Sequence, residues 1–188
     1  MPYTVNEDYR TKKIARLARE YNSVLDVGCA QSPNLFLSNK VVTGLDLNDM
    51  MLPSNYHTHI VGRIEDLLVG ENRLFDAIIA GELIEHLLDP ISFLKNCYSL
   101  LKPDGAIILS TPNPHSIIET ILTTTLNRKY FYTKDHVMLF PQRWLVRMLE
   151  ISGFKNVKLH SGGFPIPAIG LIPCPRFFCH QTIAIAYK

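Results

Sequence analysis

A series of short apolar runs, each bounded by Gly, Asp, Asn or Pro, constrains this chain more than any other feature. The runs are Val24 to Val27, Val41 to Leu47, His59 to Val61, Phe75 to Ala80 and Ala106 to Ser110. None shows the apolar-polar alternation of a strand with one wet face. They suit strands buried on both sides, the condition of a parallel sheet covered by helices. Between the last two lies Asp89 to Leu101, opened by Asp89-Pro90 and closed by Lys102-Pro103-Asp104-Gly105. That punctuation predicts a helix with Ile91, Phe93, Leu94, Tyr98 and Leu101 turned inward. Strand, helix, strand in this order predicts an α/β fold.

The flanks fill in the plan. Asp8 to Tyr21 carries Ile14, Leu17, Ala18 and Tyr21 at helical spacing and reads as an amphipathic N-terminal helix. Pro141 to Ser152, with Trp144, Leu145, Met148, Leu149 and Ile151, reads as another, stopped by Gly153 as a C-cap. Asn156 to His160 and the alternating Gln181 to Tyr187 read as antiparallel strands at a sheet edge. Between them, residues 161–180 hold so many glycines and prolines that an irregular apolar loop is expected, of a length usually associated with function.

Length and composition allow one core. At 188 residues and 47% hydrophobic, residues 1–188 are expected to form a single domain with its core at about 22–160. Nineteen basic against 17 acidic residues leave a net charge of +2, no electrostatic footprint for a nucleic-acid backbone. The four cysteines form no CxxC pair and the first residues do not resemble a signal peptide, so a reduced cytoplasmic protein is expected. The longest apolar stretches, Ile117 to Leu126 and Phe164 to Pro173, are about half of a membrane span. A monomer or homodimer is expected.

The first strand runs into Gly28-Cys29-Ala30-Gln31-Ser32-Pro33, after which Asn34 to Leu37 can start a helix. A glycine at a strand end lets a ligand approach the backbone, and open α/β sheets bind ligands at the carboxyl ends of their strands. Asp46 ends the second strand 18 residues later, near the interval at which an acid meets a ribose. A nucleoside-bearing ligand follows.

Asp26-Val27-Gly28-Cys29-Ala30, Asp46, the run Phe75 to Pro90, Leu100 to Gly105 and Ser110-Thr111-Pro112-Asn113 together resemble, in order and spacing, the motifs of class I S-adenosylmethionine-dependent methyltransferases. The resemblance implies a Rossmann-like fold: a seven-stranded, mostly parallel sheet with an antiparallel last hairpin and helices on both faces. It implies S-adenosylmethionine as cofactor, with its methionine end against Asp26, Gly28 and Ala30, its ribose on Asp46, its adenine near Arg63 and Ile64, and the transferring methyl beside Gly81 and Glu82. Ala30 and Ser32 stand where the family carries glycines, and Arg63 where it often carries an acid, leaving the adenine to backbone contacts alone or to Glu65 or Asp66.

Glu82-Leu83-Ile84-Glu85-His86 would, on a helix, project Glu82, Glu85 and His86 from one face. Two carboxylates and an imidazole suit a divalent cation such as Mg, Mn or Zn. The spacing resembles the ExxEH of small-RNA 2′-O-methyltransferases and of ubiquinone-pathway O-methyltransferases, in which a later histidine completes the site; His136 is similarly placed. With or without metal, His86, His136 and Glu85 are the candidate catalytic groups. Residues 114–140, with Tyr130, Phe131 and Tyr132 beside Arg128 and Lys129, are expected to form a lid or substrate insertion. The reading is methyl transfer to a small-molecule acceptor, at a hydroxyl oxygen, with a hydrophobic or lipid-linked character suggested by 117–126 and 164–178. Alternatives are a small-RNA 2′-O-methyltransferase and an inactive binding module of the same fold. A dehydrogenase lacks the full GxGxxG.

Overall fold

The computed structural model describes residues 7–49, 51–69, 74–117, 119–121, 136–166 and 169–188. In chain order the elements are α1 (Asp8–Leu17), β1 (Ser23–Val27), β2 (Val41–Asp46), β3 (Thr58–Val61), α2 (Ile64–Val69), β4 (Phe75–Gly81), α3 (Pro90–Leu100) and β5 (Leu101–Pro112). They continue as α4 (Gln142–Ile151), β6 (Lys155–Ser161), β7 (Phe164–Ile166), β8 (Gly170–Ile172) and β9 (Gln181–Tyr187). Seven strands form one sheet in the order β3-β2-β1-β4-β5-β9-β6. All pairings from β3 to β5 are parallel, and β9 runs antiparallel to both neighbours.

Strand neighbours in sequence enter opposite cores, which is why the runs show no polar alternation. Val24, Val42, Ile79, Ile108 and Ile183 join Ile14 and Ala18 of the α1 side. Leu25, Leu45, Ile78, Ile107 and Ala184 join Leu94 of α3 and Leu145 and Leu149 of α4. The side chain of Asp89 caps α3 by accepting from Ser92 N at 3.0 Å, and Gly153 ends α4 at φ 103°.

Four local expectations are revised. The helix expected from Asn34 does not form: Asn34 Oδ1 takes Phe36 N at 3.0 Å, an Asx turn that competes with helix. The stretch 161–180 is not wholly irregular, since Phe164–Ile166 and Gly170–Ile172 pair as a hairpin. Ile91, Trp144 and Ile151 face solvent, and Cys97 takes the inner position on α3. Leu101 is buried as the first residue of β5 rather than the last of α3. The expected lid residues Tyr130, Phe131, Tyr132, Arg128 and Lys129 lie outside the described residues; Ile117 and Ile121 of the same stretch are described and exposed.

Candidate active site

The carboxyl ends of β1, β2 and β4 converge on one edge of the sheet. Gly28 leaves β1 at φ 75°, a conformation that favours glycine, and a Cβ there would come within 3.0 Å of the Leu83 side chain. Asp46 holds the turn that follows. Its Oδ2 accepts from Ala30 N at 2.9 Å and its Oδ1 from Asn48 N at 2.9 Å. Ala30 and Cys29 are buried, the latter against Gly44, where a Cβ would lie 2.9 Å from Cys29 Sγ. Burial and the charges of Asp26 and Asp46 push the Cys29 thiol up to about 12, so it packs as an inert hydrophobe.

Asp26 is the one carboxylate inside the β1 end. Burial pushes its pKa up to about 6, against the opposing pull of a hydrogen bond donated by Tyr56 Oη and of the Arg10 charge. The same Tyr56 oxygen accepts from Asn34 N at 2.8 Å, so one hydroxyl ties β1 to the loop before β2. Farther along, Gly62 N donates to Asp46 O and Ile64 is buried at the start of α2. Asp66 Oδ2 accepts from Arg63 N at 2.7 Å and Glu65 Oε1 from Asn96 Nδ2 at 3.2 Å, which engages one oxygen of each carboxylate.

The Glu82 to His86 segment departs from the helix the sequence suggested. Glu82 N still pairs with Ser110 O at 2.9 Å, Glu82 takes φ 50°, and only Ile84–His86 forms a single 3-10 turn. Pro90 bars Asp89 from helical geometry, so α3 starts only after the segment has turned. The two glutamates therefore part. Glu82 meets Ser110 and Gln181 on the α1 side, whereas Glu85 meets Thr111 on the α3 side.

Glu85, His86 and His136 come together, with one ligand atom from each lying within 4.8 Å of the others. The two imidazole rings are 4.8 Å apart, edge to face. Main-chain bonds make this meeting: Val137 N and Met138 N donate to Glu85 O at 2.8 and 3.2 Å, drawing the last residues of the 114–140 stretch onto the turn. Glu85 is fully buried; its Oε2 accepts from Thr111 Oγ1 at 3.1 Å and its Oε1 has no partner among the described residues. Burial, then the charge of Glu82, raises its pKa to about 8. Glu82, expected from sequence as one of four ligands, is not in this grouping: Gln181 Nε2 holds its Oε2 at 3.0 Å.

Arg10 was not foreseen. It is 4% exposed and lies beneath Gly81, donating from Nε to Glu7 at 2.6 Å and from Nη1 to Ser110 Oγ at 3.0 Å. Burial works against its charge, but Glu82, Glu7 and Glu85 outweigh it and hold the guanidinium above its usual pKa. A signal existed: Arg10, Ile14 and Ala18 recur every four residues, so the arginine shares the helix's inner face. No comparable pattern marks Tyr56 or Gln181.

The family whose model matches residues 4–159 is described as a methyltransferase domain. A ubiquinone biosynthesis O-methyltransferase of Vibrio vulnificus is 33% identical over 145 residues, 68% of this chain and 61% of that protein. The chain thus spans about three-fifths of the length of that curated relative. A S-adenosylmethionine-dependent methyltransferase from Archaeoglobus fulgidus superposes with a TM-score of 0.70 at 22% identity, over 95% of this chain and 94% of the other. The Burkholderia thailandensis 1,6-didemethyltoxoflavin-N1-methyltransferase, solved with S-adenosylhomocysteine, gives a TM-score of 0.64 at 17% identity over 97% and 78% of the two chains. Among the described residues no helix is long and apolar enough to cross a membrane. The seven-stranded sheet with its reversed β9, the Gly28 turn and the matched family make this chain a member of the class I S-adenosylmethionine-dependent methyltransferases.

Proposed function

We propose that this protein transfers the methyl group of S-adenosylmethionine to a hydroxyl oxygen of a small-molecule acceptor. The observation that carries the hydroxyl reading is the Glu85-His86-His136 grouping at the end of β4, next to Gly81. An alcohol or phenol needs a proton acceptor or a cation at its oxygen before it attacks a methyl group, and this grouping offers both chemistries. The ubiquinone-pathway relative, an O-methyltransferase by name, supports the same choice.

The chain supplies binding and orientation. Gly28 gives the cofactor access to the β1 backbone, Ala30 and Asp26 border that turn, Asp46 faces the ribose and Ile64 the adenine. Arg10, beneath Gly81, is the cation available to the methionine carboxylate. The cofactor brings a methyl group already activated on a positively charged sulfur, so catalysis rests mainly on alignment. His86 or His136 takes the hydroxyl proton.

A divalent cation fits the same residues. Two imidazoles and one carboxylate are a donor set for Mn, Zn or Fe-type ions, and the unpartnered Glu85 Oε1 is an acceptor that a cation would satisfy. Such an ion would supply Lewis acidity, lowering the pKa of a bound hydroxyl. Glu85, His86 and His136 would hold it.

Calorimetric titration with S-adenosylhomocysteine, in EDTA and again with added Mn, tests the reading. Micromolar binding that disappears in Asp46→Ala is expected, with a separate Mn heat that disappears in Glu85→Ala. No binding of S-adenosylhomocysteine under any condition would overturn it. Incorporation of labelled methyl into a phenol and catechol panel then tests the acceptor atom.

A further inference from the structure

The segment between β8 and β9 carries two of the four cysteines, and one hydroxyl lies against both. Ser161, the last residue of β6, has its Oγ 3.3 Å from Cys174 Sγ. The same hydroxyl reaches the Cys179 thiol, which also feels Cys174 itself. Between the two cysteines a turn is closed by Phe178 N donating to Pro175 O at 3.0 Å, and Cys179 Sγ donates into it at Arg176 O, 3.0 Å away. The sequence holds no CxxC, so it is this turn that makes neighbours of two free thiols.

The two thiols differ in what holds them and in what can reach them. Cys179 is buried and anchored: its carbonyl accepts from Asn113 Nδ2 at 2.9 Å, and the next carbonyl, of His180, accepts from Asn113 N at 2.8 Å. Cys174 is half-buried between the exposed Pro173 and Pro175. The proline after it favours an extended backbone, which limits the directions its side chain can take. Cys29 and Cys97 do not compete, because both are buried and burial raises their thiols well above the usual range. A reagent arriving from solvent therefore meets Cys174 first, and finds Cys179 beside it.

We propose that Cys174 and Cys179 form a redox-responsive pair that closes to a disulfide when a small disulfide oxidant, of the class of glutathione disulfide, reaches Cys174. The Cys174 thiolate attacks one sulfur of the oxidant, whose S–S bond breaks and releases a glutathione thiolate. Cys179 then gives its proton to solvent and attacks the Cys174 sulfur, releasing the second glutathione. Two protein thiols lose two electrons and two protons, and the oxidant is reduced to two thiols. Closure ties the exit of β8 to the anchored entry of β9 beside Asn113, where the 114–140 stretch leaves β5. The pair owes nothing to the methyl-transfer chemistry, so it stands apart from the proposed function.

The experiment equilibrates the native full chain in glutathione buffers of rising disulfide fraction, quenches with acid, alkylates under denaturing conditions and digests with trypsin. Cleavage after Lys158 and Arg176 puts Cys174 on residues 159–176 and Cys179 on residues 177–188, so their disulfide appears as two peptides joined until reduction. The expected result is that joined pair, with alkylated thiols falling from four to two and Cys29 and Cys97 as the two that remain. Cys179→Ser removes the second sulfur and should accumulate glutathione on Cys174 to at least about tenfold the wild-type level, whereas Cys174→Ser should take up none. Wild type that keeps glutathione on Cys174 without the joined peptides, that stays fully reduced in the most oxidising buffer, or that links Cys29 or Cys97 overturns the proposal. The wild-type digest decides the matter even where the Cys179 variant folds poorly.

Discussion

Replacing Tyr56 by Phe removes a single oxygen, and the structure sets the cost. That oxygen donates to the buried Asp26 carboxylate and accepts from Asn34 N at 2.8 Å. A hydrogen bond to a charged group is worth roughly 1.5–3 kcal/mol and an orphaned buried donor costs about 1–3, so a loss of about 2.5–6 kcal/mol is expected at pH 8. In urea, with a slope of about 2 kcal/mol/M, the midpoint falls by about 1–3 M. The dependence on pH is the sharper check. In the folded wild type Asp26 titrates near 6, against 3.8 for the unfolded chain. Its contribution to stability is therefore present in full below about pH 4 and is lost as pH rises to about 6. Without the Tyr56 hydroxyl, a donor that favours the charged form is gone, the folded pKa climbs further, and the decline continues to higher pH. The gap between variant and wild type should widen from pH 4 to pH 8. Below pH 4 the Asn34 loss of about 1–3 kcal/mol and a neutral hydrogen bond of about 1 kcal/mol remain, smaller together than the loss at pH 8. Urea unfolding at a series of pH values measures this, and a gap that is constant with pH would refute the assigned Tyr56-Asp26 bond.

Arg10→Met strands Glu82 and Glu7 without their cation and should cost about 3 kcal/mol in denaturant unfolding while weakening S-adenosylhomocysteine by more than about tenfold; unchanged affinity would remove Arg10 from the cofactor site. Gly44→Ala puts a Cβ at 2.5 Å from Leu52 Cδ1 and 2.9 Å from Cys29 Sγ, an overpacking expected to cost about 1–3 kcal/mol and to lower the thermal midpoint by several degrees. Glu85→Gln replaces an acid whose folded pKa is about 8 against 4.5 unfolded. Wild type loses stability as pH rises between those values and the variant does not, so in EDTA the variant gains on wild type up to about pH 8.

How much of this was legible in one sequence varies by element. The sheet was, because the apolar runs and their Gly, Asp and Pro boundaries report burial on both faces, and burial on both faces leaves few architectures. Gly28 as the turn after β1 and Asp46 as the end of β2 were legible because glycine and acid punctuation closes an apolar run. The ExxEH run was legible as chemistry but not as geometry. Helical spacing predicted one shared face, whereas the pairing of Glu82 with Ser110 and the bar imposed by Pro90 split it, sending Glu82 to Gln181 and Glu85 to His136.

The sequence by itself determined the class of fold, the strands of a doubly covered sheet and the turns where backbone must be bare, since these follow from local patterns of burial and turn chemistry. Only the tertiary structure decided which polar side chains meet. Tyr56 is 30 residues from Asp26, Arg10 is 100 from Ser110 and Gln181 is 99 from Glu82. Contacts at such separations depend on which strand ends the crossovers bring side by side, and no periodicity within the chain records that.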